Sequence, residues 1–224
     1  MLDEVKLKLD YPASIAQQLI KNELDMGLVP VAVIPQLKKH FIIGDYGICC
    51  DGAVASVCLF SEVPLEEVEE VLMDYQSRTS VRLARILLQE HWKVEPKFTD
   101  TRSDYRQRIK GTTAGVVIGD RALEQRLVSP YIYDLGAAWK AFTGLPFVFA
   151  AWISNKELPE DFAMHFNAVN CYGLDRLDEV IGEHPFPAYN LQTYYRENIH
   201  YKISPEAISG LTQYLKYLKF AAFS

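Results

Sequence analysis

The sequence lacks three features that would each assign it to a broad class of proteins. Its four cysteines, Cys49, Cys50, Cys58 and Cys171, include no C-x-x-C pair, which argues against a zinc site and a thioredoxin-like motif. The longest apolar run in its C-terminal half, residues 145–153, is too short to span a membrane. Its 23 Lys and Arg are outnumbered by 29 Asp and Glu, so we expect no non-specific binding to nucleic acid or to anionic membranes.

The composition is that of a soluble globular protein kept in a reducing compartment. The chain has 224 residues, of which 49% are hydrophobic and 23% charged, enough for one large or two small domains. The first ten residues carry mixed charge without an apolar centre, so we expect no secretory signal peptide and predict a cytoplasmic location. Cys49 and Cys50 lie in an apolar stretch and are predicted to be buried free thiols.

The most informative segment is residues 74–88, DYQSRTSVRLARILL. A polar S-R-T-S loop follows a predicted strand, and apolar residues three or four apart then predict a helix that begins on hydroxyl residues. The free N–H groups and partial positive charge of a helix N-terminus, together with hydroxyls and an arginine, suit a carboxylate or phosphate. The alternative is that Thr79 or Ser80 only caps the helix.

Apolar strands alternate with helical segments along the chain, which predicts an α/β fold with mainly parallel sheets. A buried strand is expected in residues 26–34, with a break at Pro30, and further strands in residues 53–60 and 145–153. The last two bracket the middle of the chain and indicate two α/β lobes joined by two hinge strands. A single continuous sheet is the alternative.

The predicted lobes divide the chain discontinuously, and a ligand is expected in the cleft between them. The first lobe would combine residues 1–61 with residues 146–224, and the second would be residues 62–145. Helical spacing also predicts a short helix over residues 64–72 and one long helix over residues 161–181 with an apolar face turned inward.

Five segments of the chain carry motifs that we compare with known families, and they are residues 26–35, 74–80, 119–123, 133–152 and 196–201. The stretch D-L-G-x-x-W-x-x-x-T-G-L-P-F-V-F-A-x-W is specific, whereas G-D-x-A-L alone would be weak. In this order, the five segments resemble the chorismate dehydratase family of the futalosine route to menaquinone. The resemblance covers nearly the whole chain.

This resemblance implies a type II periplasmic-binding-protein-like fold and an enzyme, a carbon–oxygen lyase, that dehydrates chorismate to 3-[(1-carboxyvinyl)oxy]benzoate. It implies no metal and no organic cofactor, and a small dicarboxylate as the substrate. We expect neither nucleic acid nor a membrane as a partner, and the oligomeric state stays open. Family members usually begin with a further strand and a loop resembling S-Y-L-N-T-x-P, whose Asn helps to hold the substrate. The residues of this sequence match the family from its second strand onward, so none of them is carried over for that Asn.

The residues expected to bind the substrate come from four segments, and they are Pro30, Val31, Ser77, Arg78, Thr79, Ser80, Gly119 and Thr143. Arg78 is expected either to clamp a carboxylate or to point to solvent, and Thr143 either to touch the ligand or to form a turn. Asp120 is the best protein candidate for the base, with a helix N-cap as its alternative role. The favoured hypothesis is that the substrate's own enolpyruvyl carboxylate removes the ring proton.

Two other functions share this fold and stay open. A 1,4-dihydroxy-6-naphthoate synthase of the same pathway matches less well, because no histidine base lies in a matched cleft motif. A non-catalytic anion-binding protein would bind the ligand without turnover, and the apparent lack of a signal peptide argues against it. Fold alone cannot separate these functions.

Overall fold

The computed structural model describes residues 5–221, which form strands and helices in alternation. The strands are β1 (Met26–Pro30), β2 (Phe41–Cys50), β3 (Val57–Ser61), β4 (Glu70–Met73), β5 (Lys97–Asp100), β6 (Thr113–Ile118), β7 (Tyr131–Asp134), β8 (Phe147–Ser154) and β9 (His200–Lys202). The α-helices are α1 (Pro12–Ile20), α2 (Thr79–Ile86), α3 (Asp120–Gln125), α4 (Leu135–Thr143), α5 (Glu160–Leu174), α6 (Leu177–Glu183), α7 (Leu191–Thr193) and α8 (Pro205–Ala221).

The strands form two separate sheets. The first has the order β1-β8-β2-β9 and draws its strands from both ends of the chain. The second has the order β5-β4-β6-β3-β7 and is built entirely from the middle of the chain. The prediction of an α/β fold is therefore confirmed, while the boundaries given for the two lobes stay a proposal, with β3 paired inside the second sheet.

The prediction of mainly parallel sheets is wrong. Every pairing in the first sheet is antiparallel, and β8 lies between β1 and β2. In the second sheet only β4 pairs in parallel, with β5 and with β6. Apolar patterning shows which segments are buried but carries no information on the direction of a neighbouring strand, which explains the error.

The structure confirms one of three local predictions about breaks and helices and contradicts the other two. The chain breaks after β1 as predicted, since Pro30 is followed by a 3-10 helix over Val31–Gln36. The helix predicted for residues 64–72 is wrong, because a single 3-10 turn there leads into β4. The long helix predicted for residues 161–181 is divided into α5 and α6, and neither of them contains a buried residue.

Both sheets contribute to one continuous apolar core. β3 shows how, because Val57 and Leu59 belong to the large core cluster while Cys58 and Phe60 belong to a smaller cluster on the opposite face. This is the two-residue alternation of a strand buried on both sides. No helix in residues 5–221 is both long enough and apolar enough to cross a membrane.

The core contains large aromatic side chains and the two adjacent cysteines, whose burial the sequence predicts. Trp139, Phe147 and Phe149 are buried, and Cys49 and Cys50 are buried free thiols. Burial raises the pKa of the Cys49 thiol to about 12, so that thiol is protonated and unreactive at neutral pH.

Candidate functional site

Several strands of the second sheet end or begin at one common edge. β4, β5 and β6 are parallel, so their carboxyl ends lie together. β3 runs antiparallel to β6, and its first residue, Val57, is paired with Ile118 at the end of β6. Functional groups in α/β folds collect at the carboxyl ends of parallel strands, and the loops after β4 and β6 are therefore the first candidates.

A cavity of about 550 Å³ lies at this edge, beside the ends of β4 and β5. On one side its lining comes from the loop after β4, from α2 and from the end of β5. On the other side it comes from α1 and from the 3-10 helix that follows β1. The lining residues are Gln17, Gln36, Met73, Asp74, Tyr75, Ser77, Arg78, Val81, Arg82, Arg85, Asp100 and Thr101. This volume is within the range of about 300–1,000 Å³ typical of small-molecule sites.

The S-R-T-S loop precedes and opens α2, as predicted, but neither Thr79 nor Ser80 is the N-cap. The Oγ of Ser77 accepts a hydrogen bond from the amide of Ser80 at 3.0 Å and so satisfies one free N–H of the helix. Ser77 also lines the cavity. The start of α2 therefore lies beside the cavity, where its partial positive charge favours an anion.

Thr79 is turned away from the cavity and joins α2 to the first sheet. Its Oγ1 donates to the carbonyl of Phe149 at 3.1 Å and accepts from the amide of Ala32 at 3.3 Å. Thr79 and Ser80 are both buried, as are Pro30 and Val31. These four predicted site residues are not among those that line the cavity. It is the backbone of Ala32, next to Val31, that contacts α2.

Arg78 faces the cavity rather than open solvent. With the Gln17 amide oriented so that its oxygen faces the guanidinium, that oxygen accepts from Nη2 at 2.6 Å and from Nη1 at 3.1 Å. A guanidinium has five N–H donors, so this contact with α1 leaves others free for a ligand. Of the two roles left open by the sequence, the geometry is compatible with a carboxylate clamp.

A buried ion pair supports the loop after β4. The carboxylate of Asp74, fully buried, accepts from Arg121 Nη2 at 2.8 and 3.0 Å and from the hydroxyl of Tyr105 at 3.2 Å. The amide of Gln76 donates to the same carboxylate at 2.8 Å and closes a tight turn. Burial first, and then the charge of Asp74, raises the pKa of Tyr105.

Gly119 and Asp120 lie at the end of the neighbouring strand β6. Gly119 has φ +65°, a left-handed conformation suited to glycine, and its amide donates to the carbonyl of Ser56 at 2.8 Å. Gly119 is the N-cap of α3, so the alternative that Asp120 is the N-cap is wrong. Asp120 is the first residue of the helix, and its side chain is exposed.

Beside Asp120, two side chains that the sequence did not suggest bring the two sheets together. The hydroxyl of Tyr194 donates to the Oγ of Ser56 at 2.8 Å. Burial raises the pKa of Tyr194, and the nearby negative charge of Asp120 adds to the rise. The bonded hydroxyls come from residues 138 positions apart in the sequence, so no local pattern could have indicated them.

Thr143 lies apart from the cavity, at the end of α4. Its Oγ1 donates to the carbonyl of Trp139 at 2.8 Å and accepts from the amide of Leu145 at 3.2 Å, so the side chain forms the turn into β8. Within the described part of the chain, no group of three His, Cys, Asp or Glu side chains is placed to hold a metal ion.

The chain is similar in sequence to proteins of known function. Residues 2–219 match a family model described as menaquinone biosynthesis. A chorismate dehydratase of Thermus thermophilus is 27% identical over 92% of this chain and 84% of its own length. A chorismate dehydratase of Campylobacter jejuni is 26% identical over 96% of this chain and 84% of its own length.

Solved structures share the fold at low sequence identity. A crystal structure of a protein from Archaeoglobus fulgidus superposes with a TM-score of 0.72, at 12% identity, over 97% of this chain and 86% of the other. The periplasmic aliphatic sulphonate binding protein SsuA of Escherichia coli gives a TM-score of 0.61 at 13% identity, over 97% and 77%. The periplasmic-binding-protein-like fold expected from the sequence is confirmed.

Proposed function

The chain belongs to the menaquinone biosynthesis family, and from this membership we propose that it is a chorismate dehydratase. The reaction converts chorismate to 3-[(1-carboxyvinyl)oxy]benzoate and water, in the futalosine route to menaquinone. The observation that carries the proposal is the similarity to two chorismate dehydratases over 92% and 96% of the chain. The alternatives of a naphthoate synthase and a non-catalytic binding protein have no comparable support.

The cavity supports the proposal because chorismate is a dicarboxylate. The N-terminus of α2 and the Ser77 and Arg78 side chains would bind one carboxylate, through charge-assisted hydrogen bonds of about 1.5–3 kcal/mol each. The lining residues come from both halves of the molecule, so a bound ligand would contact α1 and the 3-10 helix as well as α2. Gly119 follows β6, the strand beside β4, and so lies at the same edge of the second sheet but outside the cavity lining.

The chemistry requires that a proton leave ring carbon C3 and that hydroxide leave ring carbon C4. The C3–H electron pair forms the C3–C4 double bond as the C4–O bond breaks, and the departing hydroxide takes up a proton to become water. The new double bond completes an aromatic ring, which drives the step. We infer that the enolpyruvyl carboxylate of the substrate accepts the C3 proton, while the site holds the reacting groups in position.

This mechanism predicts that Asp120 is dispensable as a base. The Asp120→Asn substitution is expected to change kcat by less than about tenfold, whereas loss of a general base costs about 100- to 10,000-fold. The assay follows the loss of the chorismate diene absorbance and identifies the product by mass. A fall of more than about a thousandfold in kcat with unchanged binding would make Asp120 the base instead.

The same assay on the unsubstituted chain tests the function itself. Loss of one water with formation of an aromatic product is the expected result. Chorismate binding without turnover would favour the anion-binding alternative, and absence of both would contradict the chorismate assignment. A Ser77→Ala variant is expected to raise KM for chorismate, with Ser129→Ala, outside the cavity lining, as the matched control.

A further inference from the structure

Two arginines of α2 and one directly before it line the same cavity. Arg78 precedes the helix, and Arg82 and Arg85 follow it by four and seven residues, which brings their side chains to one face. Seven residues of helix rise about 10 Å, so the guanidinium groups extend along the cavity instead of meeting at one point. The S-R-T-S loop contains only the first of these three arginines.

The cavity keeps positive charge after its acidic residues are counted. Asp74 is bound by two hydrogen bonds from Arg121, which is outside the lining. Asp100 lies 3.9 Å from Arg85 with a side chain that is 89% exposed, so solvent screens its charge. Within residues 5–221, no carboxylate lies within 4.0 Å of the Arg82 guanidinium.

Arg82 and Arg85 are each held in place by a contact that leaves other donors free. Arg82 Nη1 donates to the carbonyl of Ala32 at 2.9 Å. The guanidinium of Arg85 lies over the ring of Phe98 at 4.3 Å from its centroid. A pre-positioned guanidinium loses little conformational freedom on binding and presents a fork that matches a carboxylate.

We propose that Arg82 and Arg85 form a second anion subsite, so that this cavity binds ligands with two carboxylates in preference to ligands with one. The inference rests on the proposed function and extends it: Ser77 and Arg78 would hold one carboxylate of chorismate, and Arg82 with Arg85 the other. The 550 Å³ cavity is large enough for a ring between the two subsites.

The test compares binding of two stable aromatic probes by calorimetry. One is the dicarboxylate 3-[(1-carboxyvinyl)oxy]benzoate, and the other is 3-hydroxybenzoate, which has the same ring with a single carboxylate. The intact chain is expected to bind the dicarboxylate more tightly. The double variant Arg82→Gln/Arg85→Gln is expected to lose about 10- to 100-fold in affinity for the dicarboxylate and little for the monocarboxylate.

Matched variants separate the subsite from general effects. Arg108→Gln removes an exposed arginine outside the lining and is expected to leave the affinities for both probes unchanged. The double Lys variant keeps both charges and is expected to retain most of the preference. If the Gln variant binds both probes like the intact chain, or weakens both equally while its urea midpoint is unchanged, the subsite is wrong.

Chorismate turnover, measured separately, distinguishes this failure from failure of the proposed function. Turnover by a chain whose dicarboxylate preference is insensitive to the Gln substitutions would overturn the subsite alone. A charge-dependent preference without turnover would support the subsite while removing the dehydratase assignment.

Discussion

At the scale of single residues, the hydroxyl of Thr79 connects α2 to the first sheet and to the 3-10 helix after β1. The Thr79 hydroxyl donates to the Phe149 carbonyl and accepts from the Ala32 amide. The backbone carbonyl of Thr79 accepts from the hydroxyl of Tyr214 at 3.0 Å. Thr79 is 2% exposed, so water cannot replace these contacts. Thr79, which the sequence suggested as a donor to the ligand, therefore stabilises the contact between α2 and the first sheet.

Replacing Thr79 by Val should therefore destabilise the protein. The substitution keeps the shape but removes the hydroxyl that bonds the Ala32 amide and the Phe149 carbonyl, at a cost of about 1–3 kcal/mol in the free energy of unfolding. Urea denaturation measures this loss, with Thr79→Ser as the control that retains the hydroxyl. Equal stability of the Val variant and the unsubstituted chain would contradict the role given to this hydroxyl.

At the scale of elements, the parallel pair β4–β5 carries a charge contact whose effect depends on pH. Glu70 is opposite Lys97, and its Oε1 accepts from the Thr99 hydroxyl at 2.6 Å and lies 3.3 Å from Lys97 Nζ. The hydrogen bond from Thr99 and then the contact with Lys97 lower the pKa of Glu70. The folded state therefore favours the ionised carboxylate more than the unfolded state does.

Glu70→Gln is expected to lower stability at pH 7 and to have no such effect in acid. Because the folded pKa is lowered, the contribution is complete above the unfolded pKa of about 4.3 and disappears as the pH falls through the folded value. Urea unfolding of both proteins at pH 7 and at stepwise lower pH gives the difference directly. A difference that persists unchanged in strong acid would show that the carboxylate charge is not its source.

The packing of α8 against Pro146, directly before β8, depends on the absence of a side chain at Gly210. A Cβ at that position would overlap the backbone carbonyl oxygen of Pro146, which cannot move like the end of a flexible side chain. Gly210→Ala should cost about 1–3 kcal/mol in unfolding free energy through displacement of the helix.

Gly182, in α6, is the matched control, because nothing lies within 4 Å of a Cβ built there. Gly182→Ala should be neutral or stabilising by about 0.5–1 kcal/mol, through the lower entropy of the unfolded chain. Thermal melts of the two variants compare the sites. If the variants melt at the same temperature, the close approach of α8 to Pro146 is not required for stability.

Elements were predictable from the sequence where the local pattern alone determines them. α2 has a polar start followed by apolar residues at helical spacing, and it forms as predicted. Residues 65–72 have the same spacing, yet β4 forms there because β5 and β6 offer backbone partners for Glu70–Met73. Pairing with strands distant in the sequence, and not the local spacing, therefore determined the structure of these residues.

In the candidate site too, residues of one contiguous motif were predictable from the sequence, whereas pairs distant in the sequence were not. Ser77 and Arg78 were identified because the loop that carries them is contiguous. The Asp74–Arg121 pair joins residues 47 apart, and no periodicity connects them. An acidic residue directly after a buried strand was the one available signal for Asp74, since such positions lie at the functional edge of an α/β sheet.

At the scale of the whole molecule, the two sheets share one core. The large cluster includes Val29 and Phe147 from the first sheet and Leu59 and Val116 from the second. Contacts of α2 with the first sheet and of Tyr194 with Ser56 join the halves at separate places. A division into residues 1–61 with 146–224 and residues 62–145 is therefore a proposal about lobes that support each other, not about independent folding units.

This shared core predicts a single cooperative unfolding transition. Removing either half would expose apolar surface of the other, so an intermediate with one lobe folded should not accumulate. The tryptophans allow a direct test, because Trp139 packs against Phe147 in the first sheet while Trp92 contacts Tyr133 in the second. Urea curves from tryptophan fluorescence and from far-ultraviolet circular dichroism should have coincident midpoints. Two separate midpoints would mean that the halves unfold independently and that the contacts between them contribute little to stability.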